Sequence, residues 1–317
     1  MTWLLIIARW TNIWASVLLA SVFVFEFVIV NPPARRHPGF SVLTAPRVFH
    51  RLAWSFWTVG IISNFFWIWA ISASMTGVDL FAALSPDVWS TVLSDTQFGH
   101  LWAFRLAIAL IFWLTLLARR GIRLTALDSI PAALAALHLV SLAWAGHAAA
   151  GTGPYVPVHL VNDAFHLAVA AFWPGGLVPF AALLLGLLKS EHPALPGLAT
   201  GLTRRFSTTS LLAVAALALT GLINSVFLIG DIRAVFTTPY GRLLLAKLVL
   251  FAAMVGIGAW NLLVLKPKFA TEVQPENVAN QRLATRFLLR NVLWEIGLGT
   301  AVFLVVGILG ITSPPIR

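Results

Sequence analysis

Residues 206–229 read FSTTSLLAVAALALTGLINSVFLI and contain no charged side chain. A helix of about 20 apolar residues crosses the hydrocarbon core of a bilayer, and this run exceeds that length. Backbone groups in lipid must hydrogen-bond within their own segment, so such a run is a helix. Seven similar runs accompany it, and the eight predicted spans lie near 3–30, 51–76, 99–118, 129–150, 158–188, 206–229, 240–265 and 287–312. The sequence therefore predicts an all-α polytopic membrane protein with eight transmembrane helices.

The composition agrees with a membrane protein. Hydrophobic residues make up 59% of the chain and charged residues only 10%. A water-soluble domain cannot hide that much apolar surface, whereas a bilayer accepts it. The chain has no cysteine, which excludes disulfides, thiolate metal ligands and thiol catalysis. No phosphate-binding glycine loop, HExxH or CxxC motif is present, and we expect that the protein is not an enzyme.

The positive charge is concentrated in alternate loops. Excess Lys and Arg marks the cytoplasmic side of a membrane protein. Both termini are then predicted to lie outside, and the net charge of +10 is a topology signal. No basic face extends beyond these short loops, so we expect no nucleic-acid partner. The residues that set the orientation are Arg35, Arg36, Arg47, Arg51, Arg119, Arg120, Arg123, Lys189, Arg204, Arg205, Lys266, Lys268, Arg282, Arg286 and Arg290.

Two segments of the chain repeat one pattern. Thr96–Leu106 and Thr238–Leu248 share Thr, any residue, an aromatic, Gly, any residue, Leu, three residues, a basic residue and Leu. We interpret this as two parallel four-helix halves, 1–150 and 151–317, an arrangement common in transport proteins; chance similarity between apolar helices is the alternative. The basic residues, Arg105 and Lys247, either face the protein interior or extend their charge to the membrane surface.

The fifth predicted span carries the strongest candidate for chemistry. His159, Asp163 and His166 fall within about 60° of one another on a helix. The two histidines are about 10 Å apart along the axis, so both are not expected to bind one small ion. Asp163 with His166 is the better pair of ligands. A polar cluster that only joins helices is the alternative. The following Trp173-Pro-Gly-Gly176 predicts a break in this helix near the middle of the membrane.

Further histidines are predicted on the same outer side. Imidazole and carboxylate ligands suit copper(II), zinc or nickel, whereas copper(I) prefers sulfur. The chain offers only three methionines and no cysteine, so we favour a histidine-rich copper site. The predicted metal ligands are His147, His166, Asp163, His159 and His100.

Several of these residues lie in a longer stretch with a recognisable order. It contains Gly146-His147-Ala148, Asp163-Ala-Phe-His166 and Trp173-Pro-Gly-Gly-Leu177, and it continues to Thr238-Pro-Tyr-Gly-Arg242 and Lys247. This stretch, about 140–268, resembles the CopD family of bacterial copper-resistance membrane proteins. The resemblance implies an eight-span inner-membrane protein linked to copper handling, and it favours His147, Asp163 and His166 over His100 and His159.

The resulting expectation is a bacterial inner-membrane protein that captures copper on the periplasmic side and moves it across the membrane. Two alternatives stay open. Paired histidines on neighbouring spans are also typical of haem b ligands, which would make this a haem or quinol redox protein. In the second alternative, the chain is a scaffold that delivers copper to another protein without transporting it. We expect the lipid bilayer and a periplasmic copper chaperone as partners, and the sequence leaves the oligomeric state open.

Overall fold

The computed structural model of the protein describes residues 2–31, 45–118, 129–189, 195–265 and 278–316. Side chains are described for all of these except 45, 46, 195–200 and 278–281. Part of the predicted orientation signal lies outside the described residues, namely Arg35, Arg36, Arg119, Arg120, Arg123, Lys266 and Lys268.

Every regular element of the described residues is helical, and the all-α polytopic prediction is confirmed. The α-helices are α1 (Thr2–Phe25), α2 (Ala45–Thr76), α3 (Pro86–Asp95), α4 (Gln97–Ala118), α5 (Ile130–Val140), α6 (His147–Ala150), α7 (Val156–Ala170), α8 (Leu177–Lys189), α9 (Leu195–Ile229), α10 (Ala234–Thr237), α11 (Pro239–Trp260) and α12 (Val278–Leu309). Short 3₁₀ segments cover Ala82–Leu84 and Ser141–Ala145, and π-helical segments cover Glu26–Val30, Ala171–Gly175 and Asn261–Leu265.

Among the described residues, seven helical stretches are long and apolar enough to cross a membrane. They are Thr2–Val30, Arg47–Thr76, Gln97–Ala118, Val156–Lys189, Gly201–Ile229, Pro239–Leu265 and Arg282–Leu309. The predicted fourth span corresponds to the shorter apolar helix Ile130–Ala145. The count of eight crossings and the outer position of both termini stay predictions. We call the end of the bundle that holds 77–96, 146–155, 230–238 and 310–316 the outer end.

The first helix forms the centre of the bundle. It is the most buried of the seven long stretches, and it packs against α2, α5, α12 and the π segment Ala171–Gly175. It therefore contacts helices of both predicted halves, because α2 and α5 belong to 1–150 and α12 to 151–317. The division into halves at residue 150 stays a prediction.

The fourth predicted span is shorter than expected. Its α-helix ends at Val140, and a 3₁₀ segment continues to Ala145. Gly146 then takes an extended conformation with φ −106° and ψ −175°, which separates His147 from the span. His147 thus begins the separate short helix α6, because an extended residue cannot continue a helix.

The repeated sequence pattern gives the same turn at two places. Thr96 Oγ1 accepts a hydrogen bond from the Gly99 amide at 2.9 Å, and Thr238 Oγ1 accepts one from Gly241 at 3.0 Å. In each turn the glycine lies directly against the backbone seven residues earlier, at Val92 and Ala234, where a Cβ would collide. The pattern therefore encodes a capped helix start that requires glycine.

Candidate metal site at the outer end of the bundle

The helix α7 places His159, Asp163 and His166 near the outer end. The helix starts at Val156 after the loop that follows α6, and it runs without interruption to Ala170. The sequence Trp173-Pro-Gly-Gly176 then follows as a π turn before α8, because Pro174 has no amide hydrogen to donate. The three candidate side chains thus lie on the outermost turns of a long interrupted span.

A threonine of α9 fixes the ring of His166. The His166 Nδ1 atom lies 2.7 Å from Thr220 Oγ1, and that hydroxyl also lies 2.7 Å from the Ala216 carbonyl oxygen. The hydroxyl has one hydrogen, and donating it to Ala216 requires the imidazole to donate Nδ1–H to Thr220. The Nε2 lone pair of His166 has no partner among the described residues. This is the arrangement in which a histidine serves as a metal ligand.

Two asparagines fix the carboxylate of Asp163. Asn162 Nδ2 donates to Asn224 Oδ1 at 2.7 Å, and Asn224 Nδ2 donates to Asp163 Oδ1 at 3.1 Å. The second oxygen, Oδ2, lies against Gly146, where a Cβ would sit 3.7 Å away. One oxygen of the carboxylate is therefore held by the protein, and the other faces the loop that carries His147.

His147 closes the outer side of this cluster. Its Nε2 atom lies 3.0 Å from the Leu309 carbonyl oxygen at the end of α12. Its ring makes an edge contact with Tyr240 of α11, with centroids 5.8 Å apart. Burial lowers the pKa of His147; the bond to Leu309 raises it, and the charge of Arg9 lowers it. His147 must release Leu309 before Nε2 can bind a metal ion.

Two cations surround the carboxylate. Lys247 of α11 and Arg9 of α1 both act electrostatically on Asp163. Arg9 is anchored by three contacts: its Nη1 donates to the Ala145 carbonyl oxygen at 3.3 Å, its guanidinium stacks 5.3 Å from the Trp67 ring centre, and it lies directly against Gly310. The cluster thus joins one negative charge to two positive ones, and an incoming metal ion competes with both.

The other two predicted ligands make different contacts, and of the two only His159 interacts electrostatically with His147. His159 is buried and stacks on Phe227, with centroids 4.6 Å apart and planes 12° apart. His100 is exposed, and its Nε2 lies 2.8 Å from the Ser94 carbonyl oxygen in the turn before α4. Arg242 makes the equivalent contact, from Nε to Phe236 oxygen, in the second turn. No contact among the described residues joins His100 to the other four.

The described residues contain no group of three His, Cys, Asp or Glu side chains arranged to hold a metal ion. Asp163 and His166 are one turn apart on the same helix face, and both are fixed by α9. Their donor set of carboxylate oxygen and imidazole nitrogen suits copper, nickel or zinc. A third ligand from the protein requires movement, and His147 directly follows Gly146, which Asp163 Oδ2 approaches.

Comparison with known proteins gives the chain a family. Residues 1–156 match the family model for the copper resistance protein D-like N-terminal domain, and residues 200–309 match the model for copper resistance protein D. The chain is 30% identical over 249 residues to the inner membrane protein YebZ of Escherichia coli (strain K12), which covers 77% of this chain and 78% of the relative. The chain belongs to the copper resistance protein D family.

Two further relatives agree with this family. Copper resistance protein D of Pseudomonas syringae pv. tomato is 28% identical over 257 residues, 81% of each chain. The copper transport protein CutJ of Bacillus subtilis (strain 168) is 31% identical over 195 residues, 61% of this chain and 35% of the relative. No solved structure matches the chain. The chain is therefore a multi-pass inner-membrane protein with a copper-related function.

The two matched segments of this CopD-family protein include only the first residue of α7. The first match ends at Val156 and the second begins at Thr200, so His159, Asp163 and His166 lie between them. The two matches reach beyond the expected region of about 140–268 at both of its ends, but they leave residues 157–199 of that region uncovered.

Sequence reasoning missed several residues that complete the site. Arg9 interrupts an apolar run, which marks it as unusual, but nothing in the sequence connects it to Asp163. Thr220 and Asn224 lie on α9 near Gly221, which comes close to His166, since a Cβ on this glycine would be 3.5 Å from His166 Cε1. Tyr240 lies inside the repeated pattern.

Arg105 forms a second buried polar cluster in the first half. It is 1% exposed, so the interior alternative is confirmed for this residue. Its Nη1 donates to the His138 carbonyl oxygen at 2.5 Å and to Ser141 Oγ at 2.8 Å. Its Nη2 donates to Asn12 Oδ1 at 2.9 Å and to Ser16 Oγ at 3.2 Å. Four neutral acceptors from α1 and the α5 region thus hold one buried cation.

Proposed function

We propose that this protein binds a copper ion at the outer end of its second half and moves it across the inner membrane. Asp163 and His166 are the first ligands, and His147 joins them after it leaves the Leu309 carbonyl. The observation that supports this function is that the side chains of Asp163 and His166 on α7 are both held in place by residues of α9. Thr220 orients the imidazole and Asn224 orients the carboxylate, so each presents its other donor atom without a partner from the described residues.

The local electrostatics support capture of a cation. Asp163 already interacts with two positive side chains, Arg9 and Lys247. When a metal ion replaces part of the interaction with these cations, the negative charge of Asp163 stays balanced by positive charge during capture. Ionisable residues inside membrane spans are costly and mark ion pathways more often than they serve packing alone. The relatives named for copper resistance and copper transport support copper as the ion.

The first test measures copper binding to the purified protein in detergent. We expect Asp163→Asn and His166→Ala each to weaken copper binding on the order of 100-fold, since each removes a ligand. The matched control is His50→Ala, because His50 is an exposed imidazole near the start of α2. Copper affinity that is unchanged in both site variants would overturn the proposed site.

A second measurement separates transport from delivery. Proteoliposomes containing the full chain are loaded with a copper-sensitive dye, and copper entry is followed after external addition. We expect entry in the wild type and loss of entry in His166→Ala. Binding without entry would support the delivery scaffold instead. A purified protein with a haem absorption band that His166→Ala removes would support the haem alternative.

A further inference from the structure

A buried carboxyl group lies deeper in the bundle than the candidate copper site. Glu295 of α12 is only 2% exposed. Its Oε1 accepts a hydrogen bond from Asn261 Nδ2 at 2.9 Å, and Asn261 Oδ1 accepts one from Asn291 Nδ2 at 2.7 Å. The other oxygen, Oε2, lies against Gly258, where a Cβ would be 3.7 Å away. One carboxyl oxygen is held by an amide chain and the other is left for a ligand.

No charged group of the described residues acts on Glu295. The helix α11 presents Asn261 to it, and the π segment Ala171–Gly175, which also contacts α12, has no ionisable side chain. From α12 itself, Arg290 is exposed and its guanidinium stacks 5.1 Å from the Phe287 ring centre. The other helices packed against α12 include α1 with Arg9 and α8 with Lys189, and neither cation is among the groups that act on Glu295. Glu295 is therefore an isolated acid among amides.

The chemistry of this group suits a proton better than a metal ion. A protein site for copper needs several nitrogen, sulfur or oxygen ligands, and the amides here are already bonded to each other or to the carboxyl. A single carboxyl oxygen is enough to bind a proton. Its amide donor, Asn261, stabilises either form of the acid, because it binds the oxygen that need not carry the proton.

A stripe on α11 connects Glu295 with the candidate copper site. Lys247, Met254 and Asn261 are seven residues apart, so they lie on one face of the helix at intervals of about 10 Å. Lys247 acts electrostatically on Asp163 and His166. Met254 is 2% exposed and lies next to Gly299, which Pro174 also approaches. Asn261 binds Glu295. Glu295 therefore lies along the axis of α11 from the candidate copper site, about two of these intervals away.

The backbone changes where this stripe meets the acid. The α-helix of α11 ends at Trp260, and Asn261 begins the π segment Asn261–Leu265. A π turn widens the helix and is frequently found at functional sites. The side chain that binds Glu295 is therefore carried by the one irregular turn of this span, while the rest of the span is regular α-helix.

We propose that Glu295 is the proton-carrying group of this protein, which binds and releases one proton in each cycle of copper movement. The inference rests on the proposed function. It assigns proton coupling to a residue that is separate from the copper ligands. An experiment can therefore refute the role of Glu295 without refuting the copper site, and the reverse.

The first experiment labels the acid directly. A hydrophobic carbodiimide reacts with protonated carboxyl groups in apolar surroundings, and the labelled peptide is identified by mass spectrometry of the full chain in liposomes at neutral pH. We expect label on Glu295 and its loss in Glu295→Gln. The control is Glu26→Gln, since Glu26 is a half-buried acid of the first span. Absence of label on Glu295 overturns the inference.

The second experiment measures coupling. Proteoliposomes contain a pH-sensitive dye, and copper is added outside. We expect copper-dependent proton movement in the wild type and its loss in Glu295→Gln, while the copper affinity of the outer site is unchanged. Glutamine keeps an oxygen for the Asn261 bond, so the fold is retained. Proton movement that is unchanged in Glu295→Gln overturns the inference. A wild type that moves no copper overturns the proposed function, and labelling then decides the role of Glu295 alone.

Discussion

Two of the buried polar clusters among the described residues contain cations at equivalent positions of the repeated pattern. Arg105 and Lys247 each lie six residues after the glycine of the same capped turn. The four hydrogen-bond acceptors of Arg105 are all neutral, and the four bonds use both terminal nitrogens. Around Lys247 the neighbours are a carboxylate and an imidazole. In the first cluster each terminal nitrogen of Arg105 makes two bonds to neutral groups, and only its Nε lacks a partner among the described residues. In the second cluster a carboxylate oxygen and an imidazole nitrogen are left open to a ligand.

The same capped turn and buried cation thus occur in two different settings, one that joins helices and one that leaves ligand atoms open. A buried cation with neutral acceptors has nothing to exchange, so its role is to hold α1, α4 and α5 together. A buried carboxylate with two cations and two imidazoles exchanges partners readily, because each charge has an alternative. If this contrast holds, substitutions in the Arg105 cluster change stability, and substitutions in the Lys247 cluster change copper affinity.

The largest expected effect is on stability, from Arg105→Met. The change leaves Asn12, Ser16, Ser141 and the His138 carbonyl without their donor. We expect a loss of about 3 kcal/mol or more, because buried polar groups without partners cost roughly 1–3 kcal/mol each. The measurement is the unfolding temperature in detergent. An Arg105→Met protein as stable as the wild type would remove the structural role assigned to the first cluster.

The next effect tests the orientation of His166. Thr220→Val removes the hydroxyl that binds Nδ1 and keeps the side-chain shape. We expect copper affinity to fall about tenfold, as for other residues that orient a metal-bound histidine. Ser225→Ala is the matched control, since the Ser225 hydroxyl binds only the Gly221 carbonyl of its own helix. Equal affinities in the two variants would contradict an orienting role for Thr220.

The third prediction concerns pH and His147. Burial lowers the pKa of this imidazole from its usual 6.5, so the ring is neutral above 6.5 and stays neutral for some distance below it. Copper binding through His147 is then retained at pH 6.5 and lost as the pH falls through the lowered pKa. Below that point affinity drops up to about tenfold per pH unit for one competing proton. Titration of copper affinity between pH 7.5 and 4.5 checks this, with His147→Ala expected to flatten the curve.

A smaller effect is expected from Lys247→Met. Removing the cation lessens the repulsion of an incoming metal ion, and we expect copper affinity to rise a few-fold. The unfolding temperature should change much less than in Arg105→Met, because Lys247 holds no network of four hydrogen bonds. A strongly destabilised Lys247→Met protein would show that the two clusters are alike after all.

The smallest expected effect is that of His100→Ala. This ring is exposed and contacts Ser94 in the turn before α4. We expect copper affinity to change less than about twofold, as is usual for surface substitutions remote from a site. The measurement is the same copper titration. A loss comparable to that of His166→Ala would place His100 among the ligands, as the sequence predicts.

Much of the fold follows from local patterns. Apolar runs predict the long helices because lipid leaves the backbone no other partner. The repeated Thr-x-aromatic-Gly motif predicts two similar helix starts, and the structure gives both the same cap. The break after Trp173 follows from Pro174. The fourth span is shorter than predicted, because apolar content alone does not reveal that Gly146 is extended.

The candidate site was only partly predictable. The stripe of α7 is visible because its residues are neighbours on one helix. Arg9, Thr220 and Tyr240 come from three other helices, and their approach to α7 depends on how the bundle packs. The Arg105 cluster shows the same limit. The sequence marks Arg105 as deep in a span, but its acceptors on α1 and α5 are set by tertiary packing.

The bond between His147 and Leu309 has a consequence for biosynthesis. Its partners are 162 positions apart, and Leu309 ends the last helix of the bundle. Arg9, near the start of the chain, also rests against Gly310. The arrangement at the outer end is therefore assembled only after α12 has entered the membrane. A chain that is still being inserted has not yet brought His147 and Arg9 to their partners at the end of α12.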